Sequence, residues 1–148
     1  MEYLWTKTNY KLMQGKWKIG ILLDAGYQIV PFTENLQKYT KFADHMYFHS
    51  LLMPYPYSQT MSEEELSYFC GGLKLAAPYI SIPEQDNCLL IALRNIQFSS
   101  CNIQKEAFTA CAIQWASETF HFYMPQIQTF FDSKAGRHGV YVFDFSSV

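Results

Sequence analysis

The sequence predicts a single α+β domain spanning residues 1–148, with two main helices packed on an antiparallel or mixed β-sheet. Three observations support this prediction. Short apolar or alternating segments, which are typical of strands, outnumber the helical segments. The strand pairs near the two ends of the chain are separated by turn-like sequences, which predicts an N-terminal and a C-terminal hairpin. Only two long segments carry apolar residues at the three- to four-residue spacing of a helix.

The first predicted hairpin lies between residues 17 and 32. Residues 17–23 alternate in polarity, and residues 27–32 read as the returning strand. Between them, Asp24-Ala25-Gly26 has the composition of a turn in which Gly26 supplies a positive φ. Residues 34–43 then predict a short helix, and residues 45–53 predict a strand.

The first main helix is predicted over residues 62–77. Ser62 can cap its N-terminus, Glu65 can close a capping box, and Pro78 ends the helix. Gly71 and Gly72 lie in its middle, where each glycine costs about 1 kcal/mol relative to alanine. We therefore expect a neighbouring element to approach this helix closely at the two glycines.

The second half of the chain contains the predicted centre of the fold. Residues 89–98 predict a central strand, because both of its faces are mostly apolar. Residues 104–120 predict a helix that is apolar over more than half of its circumference, with Trp115 buried. The chain closes with strands over residues 126–131 and 140–145, joined by an exposed loop that contains two glycines.

The amino-acid composition limits the classes of protein to which this chain can belong. Hydrophobic residues make up 49% of the chain and charged residues 16%, which favours a folded domain over a disordered one. The aromatic share is 18%, and aromatic side chains build both cores and interfaces. The net charge is −2, with an excess of lysine in residues 1–59 and an excess of acids after them. The chain contains only two arginines, so we expect no nucleic-acid partner.

The same inspection predicts a soluble cytoplasmic protein without cofactor or metal. No apolar run reaches the ~18 residues of a membrane span, and no leader sequence is visible. The four cysteines show no CxxC spacing, so we expect reduced thiols. His45 and His49, with Asp44 nearby, are too few ligands for a zinc site. No nucleophile motif is present, so the sequence assigns no catalytic residue and favours a non-catalytic role.

One segment stands out as a candidate partner-binding surface. Tyr55 and Tyr57 alternate with prolines, which restrict the backbone and hold the tyrosines at low entropic cost. Glu63 and Glu64 follow at the acidic start of the first main helix. Rigid tyrosines beside carboxylates suit a basic protein partner. We therefore predict that these four residues contribute to binding.

In size, charge and absence of catalytic motifs, the chain resembles the small, mildly acidic immunity proteins of bacterial toxin–immunity systems. The resemblance implies a cytoplasmic protein that binds a protein partner, such as a basic toxin domain, and covers its active site. Two alternatives stay open. One is a small-molecule-binding or enzymatic domain whose site is built from scattered residues; the other is a homo-oligomeric structural subunit. The sequence does not define the oligomeric state.

Overall fold

A computed structural model describes residues 2–53, 59–82, 84 and 86–148. In these residues the chain forms seven strands and two α-helices, together with two short 3-10 helices at Glu34–Lys38 and Ala77–Tyr79. The strands and α-helices are, in order, β1 (Leu4–Leu12), β2 (Ile19–Pro31), β3 (Thr40–Ala43), β4 (Met46–Ser50), α1 (Glu63–Ala76), β5 (Asn87–Phe98), α2 (Lys105–Phe120), β6 (Gln128–Asp132) and β7 (Val140–Asp144). This arrangement confirms the predicted α+β class.

Five of the strands form a mixed sheet in the order β1-β2-β5-β4-β3. Neighbouring strands are antiparallel except β4 and β5, which are parallel and connected through α1. Strand β5 is central and is buried from Cys88 to Leu93, as its apolar faces predict. The strands β6 and β7 form a separate antiparallel hairpin.

The N-terminal hairpin consists of β1 and β2, and the predicted turn at Asp24-Ala25-Gly26 is wrong. Strand β2 continues through these residues, with a β-bulge between Asp24 and Ala25 opposite β5. Gly26 does not have a positive φ. It has a packing role instead, because a Cβ atom there would lie 2.6 Å from Cε3 of Trp5. A glycine inside a strand often marks such a close approach.

The predicted helix over residues 34–43 is also wrong beyond its first turn. Only Glu34–Lys38 is helical, as a 3-10 turn, and Thr40–Ala43 is the edge strand β3. Phe42 of β3 is buried in the main core, and both Thr40 and Phe42 are residue types enriched in strands. Tertiary packing therefore overrides the helical pattern that the sequence suggested.

The two α-helices cover one face of the sheet and pack on each other. Trp115 of α2 is fully buried, as predicted, and its indole N–H lies 3.1 Å from the carbonyl oxygen of Thr6 and 3.2 Å from that of Ala25. These contacts tie α2 to β1 and β2. Helix α1 begins at the predicted cap, where the Ser62 hydroxyl and the Glu65 carboxylate form a capping box.

The expected close approach occurs at one of the two glycines of α1. A Cβ atom on Gly72 would lie 2.3 Å from the carbonyl oxygen of Thr109 in α2. A Cβ atom on Gly71 would meet nothing within 4 Å. Gly72 thus sets the distance between the helices, whereas Gly71 has no such role.

The C-terminal hairpin is anchored by Tyr141. Its hydroxyl donates to the carbonyl oxygen of Trp17 at 2.5 Å, and its ring contacts Trp17 and Phe131 edge to face. The side-chain amide of Gln104 makes two hydrogen bonds of 2.8 Å with the Tyr141 backbone. The hairpin is therefore held at the N-terminal end of α2.

The face of the sheet opposite the helices is called here the open face. At one end, the 3-10 helix Glu34–Lys38 places Leu36 in a small cluster with Tyr47, Cys88 and Leu90. Towards the other end, Lys7, Lys11 and Arg94 are exposed. Within the described residues, no helix has the length and apolar character needed to cross a membrane.

Candidate functional site

The predicted partner-binding residues are only partly described. Tyr55 and Tyr57 lie outside the described residues. Glu63 and Glu64 are exposed in the first turn of α1, as predicted for solvent-facing acids. The Glu64 carboxylate lies 2.8 Å from the ammonium group of Lys105 on α2, so its charge is paired within the chain. Glu63 forms no ion pair with a described residue and borders a pocket between α1 and the β3–β4 edge.

One cysteine–histidine pair comes together, but its geometry does not suit nucleophilic catalysis. The Cys88 sulfur lies 3.7 Å from Nδ1 of His45, which has a φ of 60° in the turn between β3 and β4. Cys88 is fully buried, and this burial raises the pKa of its thiol. A cysteine nucleophile needs the opposite shift, because the thiolate is the reactive form. Among the described residues, no three potential ligands are grouped to hold a metal ion.

The open face instead carries a continuous series of side-chain contacts, which we call the open-face chain. It begins beside β3, crosses the sheet and ends on β2. Its members come from five separate segments of the sequence and touch one another in order. They are Lys38, Tyr39, His49, Tyr3, Trp5, Arg94 and Asp24.

One half of the open-face chain is built around Arg94. Its guanidinium carbon lies 3.9 Å from the ring centroid of Trp5, in a cation–π contact. Its Nε and Nη2 atoms each lie 2.9 Å from Oδ2 of Asp24. Asp24 is at the β-bulge of β2, and its second oxygen, Oδ1, is buried without a hydrogen-bond partner in the described residues. The ring and the carboxylate together fix the orientation of the guanidinium.

The other half joins aromatic rings across the sheet. The rings of Tyr3 and Trp5 have centroids 5.1 Å apart, and the Tyr3 hydroxyl lies 2.6 Å from Nε2 of His49. The His49 ring is 4.5 Å from that of Tyr39, over which Lys38 lies. Burial lowers the pKa of His49, and the charge of Lys38 adds to this effect. A neutral His49 can accept a hydrogen bond at Nε2 from the Tyr3 hydroxyl, which links the two rings without a net charge.

The charges of the five-stranded sheet are all on the open face. The register places Lys7 opposite Asp24. Lys11, four residues after Lys7 in β1, lies on the same face of the sheet. The other two cationic side chains are Lys41, which lies opposite Tyr47, and Arg94. The five strands therefore present four cations and one carboxylate on this face, although the whole chain has a net charge of −2.

Sequence reasoning did not find this surface. Its visible signals were the excess of lysine in residues 1–59 and the high aromatic share of the composition. Trp5 and Arg94 are far apart in the sequence, and their contact depends on the order in which β1, β2 and β5 pair. No local spacing encodes that order.

A second feature is a pocket of about 560 Å³ near the N-terminus of α2. Its wall includes the basic side chains Lys16, Arg137 and His138, together with Trp17 and the exposed Cys101. The pocket is partly polar and lies beside the C-terminal hairpin. Its basic side chains suit a small anionic molecule.

Comparisons with family models, with curated proteins and with solved structures found no match to this chain. The open-face chain offers oriented rings and a fixed guanidinium, and the exposed ammonium groups of Lys7 and Lys11 lie on the same face of the sheet. These groups can contact another molecular surface through aromatic stacking, hydrogen bonds and ion pairs.

Proposed function

We propose that this protein is a non-catalytic, cytoplasmic protein-binding protein that acts by covering a functional surface of its partner. A toxin-neutralising immunity protein is the most concrete form of this proposal. The observation that carries it is the open-face chain, in which the half-buried rings of Trp5 and Tyr3 and the exposed Arg94 are held in place on the sheet face opposite the helices. Tryptophan, tyrosine and arginine are the residues that most often dominate binding energy at protein interfaces.

The pairing of these side chains supports a binding role. Each member of the open-face chain already contacts a neighbour, so little side-chain freedom is lost when a partner docks. A broad sheet face also suits another protein, whereas small ligands prefer enclosed, mostly apolar pockets. The mechanism is steric: the docked domain blocks access to the partner's site.

The sequence-predicted patch remains a separate prediction. If a basic partner binds there, Glu63→Lys with Glu64→Lys slows its association, and Tyr55→Ala or Tyr57→Ala speeds its dissociation. A second candidate function, small-anion binding, is favoured by the basic pocket beside α2. Self-association through the open face is the structural-subunit alternative.

Affinity capture from the native cell, followed by mass spectrometry, tests the proposal. The two arginines of the chain offer a matched pair of variants. Arg94→Met removes the guanidinium from the open face but keeps an unbranched side chain beside Trp5, and Arg137→Met makes the same change near the α2 pocket. Circular dichroism first checks that both variants are folded. We expect the wild type and Arg137→Met to retain one stoichiometric partner that Arg94→Met loses.

Other outcomes contradict the proposal in distinct ways. Recovery of the chain alone in a dimer that Arg94→Met disrupts would indicate a homo-oligomeric subunit. Absence of any stoichiometric protein with all three baits would refute a protein-binding role. A partner lost only with Arg137→Met would move the interface to the α2 pocket.

A further inference from the structure

We infer that the open face docks an acidic protein surface, whose carboxylates bind the lysines of β1. This inference rests on the proposed protein-binding function and adds the chemistry of the partner. It differs from the sequence-based expectation of a basic partner, which rested on the acidic start of α1.

The first argument is the availability of the cations. Lys7 and Lys11 are exposed and form no ion pair with a described residue. By contrast, Lys41 lies 3.6 Å from Asp44, and Arg94 is paired with Asp24. The two free ammonium groups project from one face of β1, at positions roughly 13 Å apart along the strand. They therefore offer two separate sites for carboxylates, without an internal pair that must first be broken.

A second argument separates an acidic protein from a nucleic acid. Single-stranded nucleic acids bind basic surfaces by stacking bases on free aromatic rings. On the open face the rings are already engaged: Trp5 contacts the Gly26 backbone and carries the Arg94 guanidinium. Tyr39 contacts His49 and carries Lys38. Cations therefore already occupy the faces of these two rings, which leaves them poorly suited to base stacking and favours carboxylates of a protein.

Zero-length carbodiimide cross-linking of captured complexes tests the inference, because this reagent joins a lysine to a carboxylate in direct contact. We expect cross-links from Lys7 or Lys11 of this chain to Asp or Glu residues of the captured protein. Cross-links from Glu63 or Glu64 to lysines of that protein would overturn the inference in favour of a basic partner. Cross-links between two copies of this chain would overturn it in favour of self-association.

Charge-reversal variants give a second readout. Lys7→Glu with Lys11→Glu should slow association with the captured protein about tenfold at low salt, and the difference should shrink as salt rises. The matched control is Lys74→Glu with Lys134→Glu, which makes the same charge change at exposed lysines outside the sheet. Equal effects of the two double variants would overturn the inference.

Two further probes test other anions directly. A single-stranded DNA oligonucleotide and vesicles containing phosphatidylserine are titrated into the purified protein in separate experiments. If either probe binds the wild type and the Lys7/Lys11 double variant abolishes that binding, the acidic-protein assignment is overturned.

The protein-binding function and this inference can fail separately. Absence of any captured protein refutes the protein-binding function, whereas a captured protein that cross-links elsewhere refutes only this inference.

Discussion

Replacing Gly72 with alanine tests the contact between the two helices, and Gly71 supplies a control one residue away. Both glycines lie inside α1, so both substitutions gain about 1 kcal/mol of helix propensity. At Gly71 nothing opposes this gain, because the new methyl group meets no atom within 4 Å. We therefore expect Gly71→Ala to stabilise the protein by up to about 1 kcal/mol.

At Gly72 the same methyl group has no space. Its carbon would lie 2.3 Å from the carbonyl oxygen of Thr109 and 2.8 Å from Cβ of Ala112. The obstruction is backbone, which cannot rotate away, so α1 and α2 must separate to an ordinary contact distance. Such overpacking costs about 1–3 kcal/mol or more, which exceeds the gain in propensity. Because the gain in propensity is common to both variants, Gly72→Ala should be about 1–3 kcal/mol less stable than Gly71→Ala.

Urea unfolding followed by far-UV circular dichroism measures this difference. If the slopes of the transitions are unchanged, the shifts in midpoint report stability directly. In thermal unfolding, each kcal/mol corresponds to roughly 2–4 °C for a domain of this size. The reasoning is refuted if Gly72→Ala is as stable as Gly71→Ala, because α1 and α2 would then not be in contact at this position.

Three further predictions follow from burial. Trp115→Ala should cost about 3–5 kcal/mol of unfolding free energy, as buried aromatic truncations do; an unchanged urea midpoint would show that α2 is not central. Gly26→Ala should destabilise by about 1–3 kcal/mol and shift the tryptophan emission, because its Cβ must displace Trp5; unchanged fluorescence would argue against this contact. Ellman's reagent should modify the exposed Cys101 rapidly and the fully buried Cys111 only on unfolding, since burial also raises the pKa of the Cys111 thiol. A fast phase that persists in Cys101→Ser would contradict that order.

Sequence reasoning located the helices because their signals are local. The capping box of Ser62 and Glu65 marks the start of α1 within four residues of sequence, and the apolar circumference of α2 marks its burial. It failed at Asp24-Ala25-Gly26, where turn-like residues occupy the middle of a strand. Asp24 is in β2 because its carboxylate pairs with Arg94, and Gly26 is there because it leaves space for Trp5. Aspartate and glycine are also the residue types that turns favour. Only the strand order distinguishes the two interpretations.

The open-face chain could not be predicted from the sequence either, because it also depends on the strand order. The prediction of a binding patch at Tyr55, Tyr57, Glu63 and Glu64 joined residues that are neighbours in the sequence. The open-face chain joins residues from β1, β2, β4 and β5, whose proximity depends on long-range pairing. Aromatic excess was visible in the composition, but the positions of the relevant rings were not.

The central position of β5 also has a consequence during synthesis. Strand β5 pairs with β2 on one side and with β4 on the other, yet it follows both of them in the chain. Until residues 87–98 leave the ribosome, the two earlier hairpins have no strand to join them, and each leaves an apolar edge unpaired. Such edges are sites of intermolecular pairing, and non-local strand pairing is slow. The nascent chain is therefore most vulnerable to aggregation before β5 emerges, and holdase chaperones should recognise it in that interval.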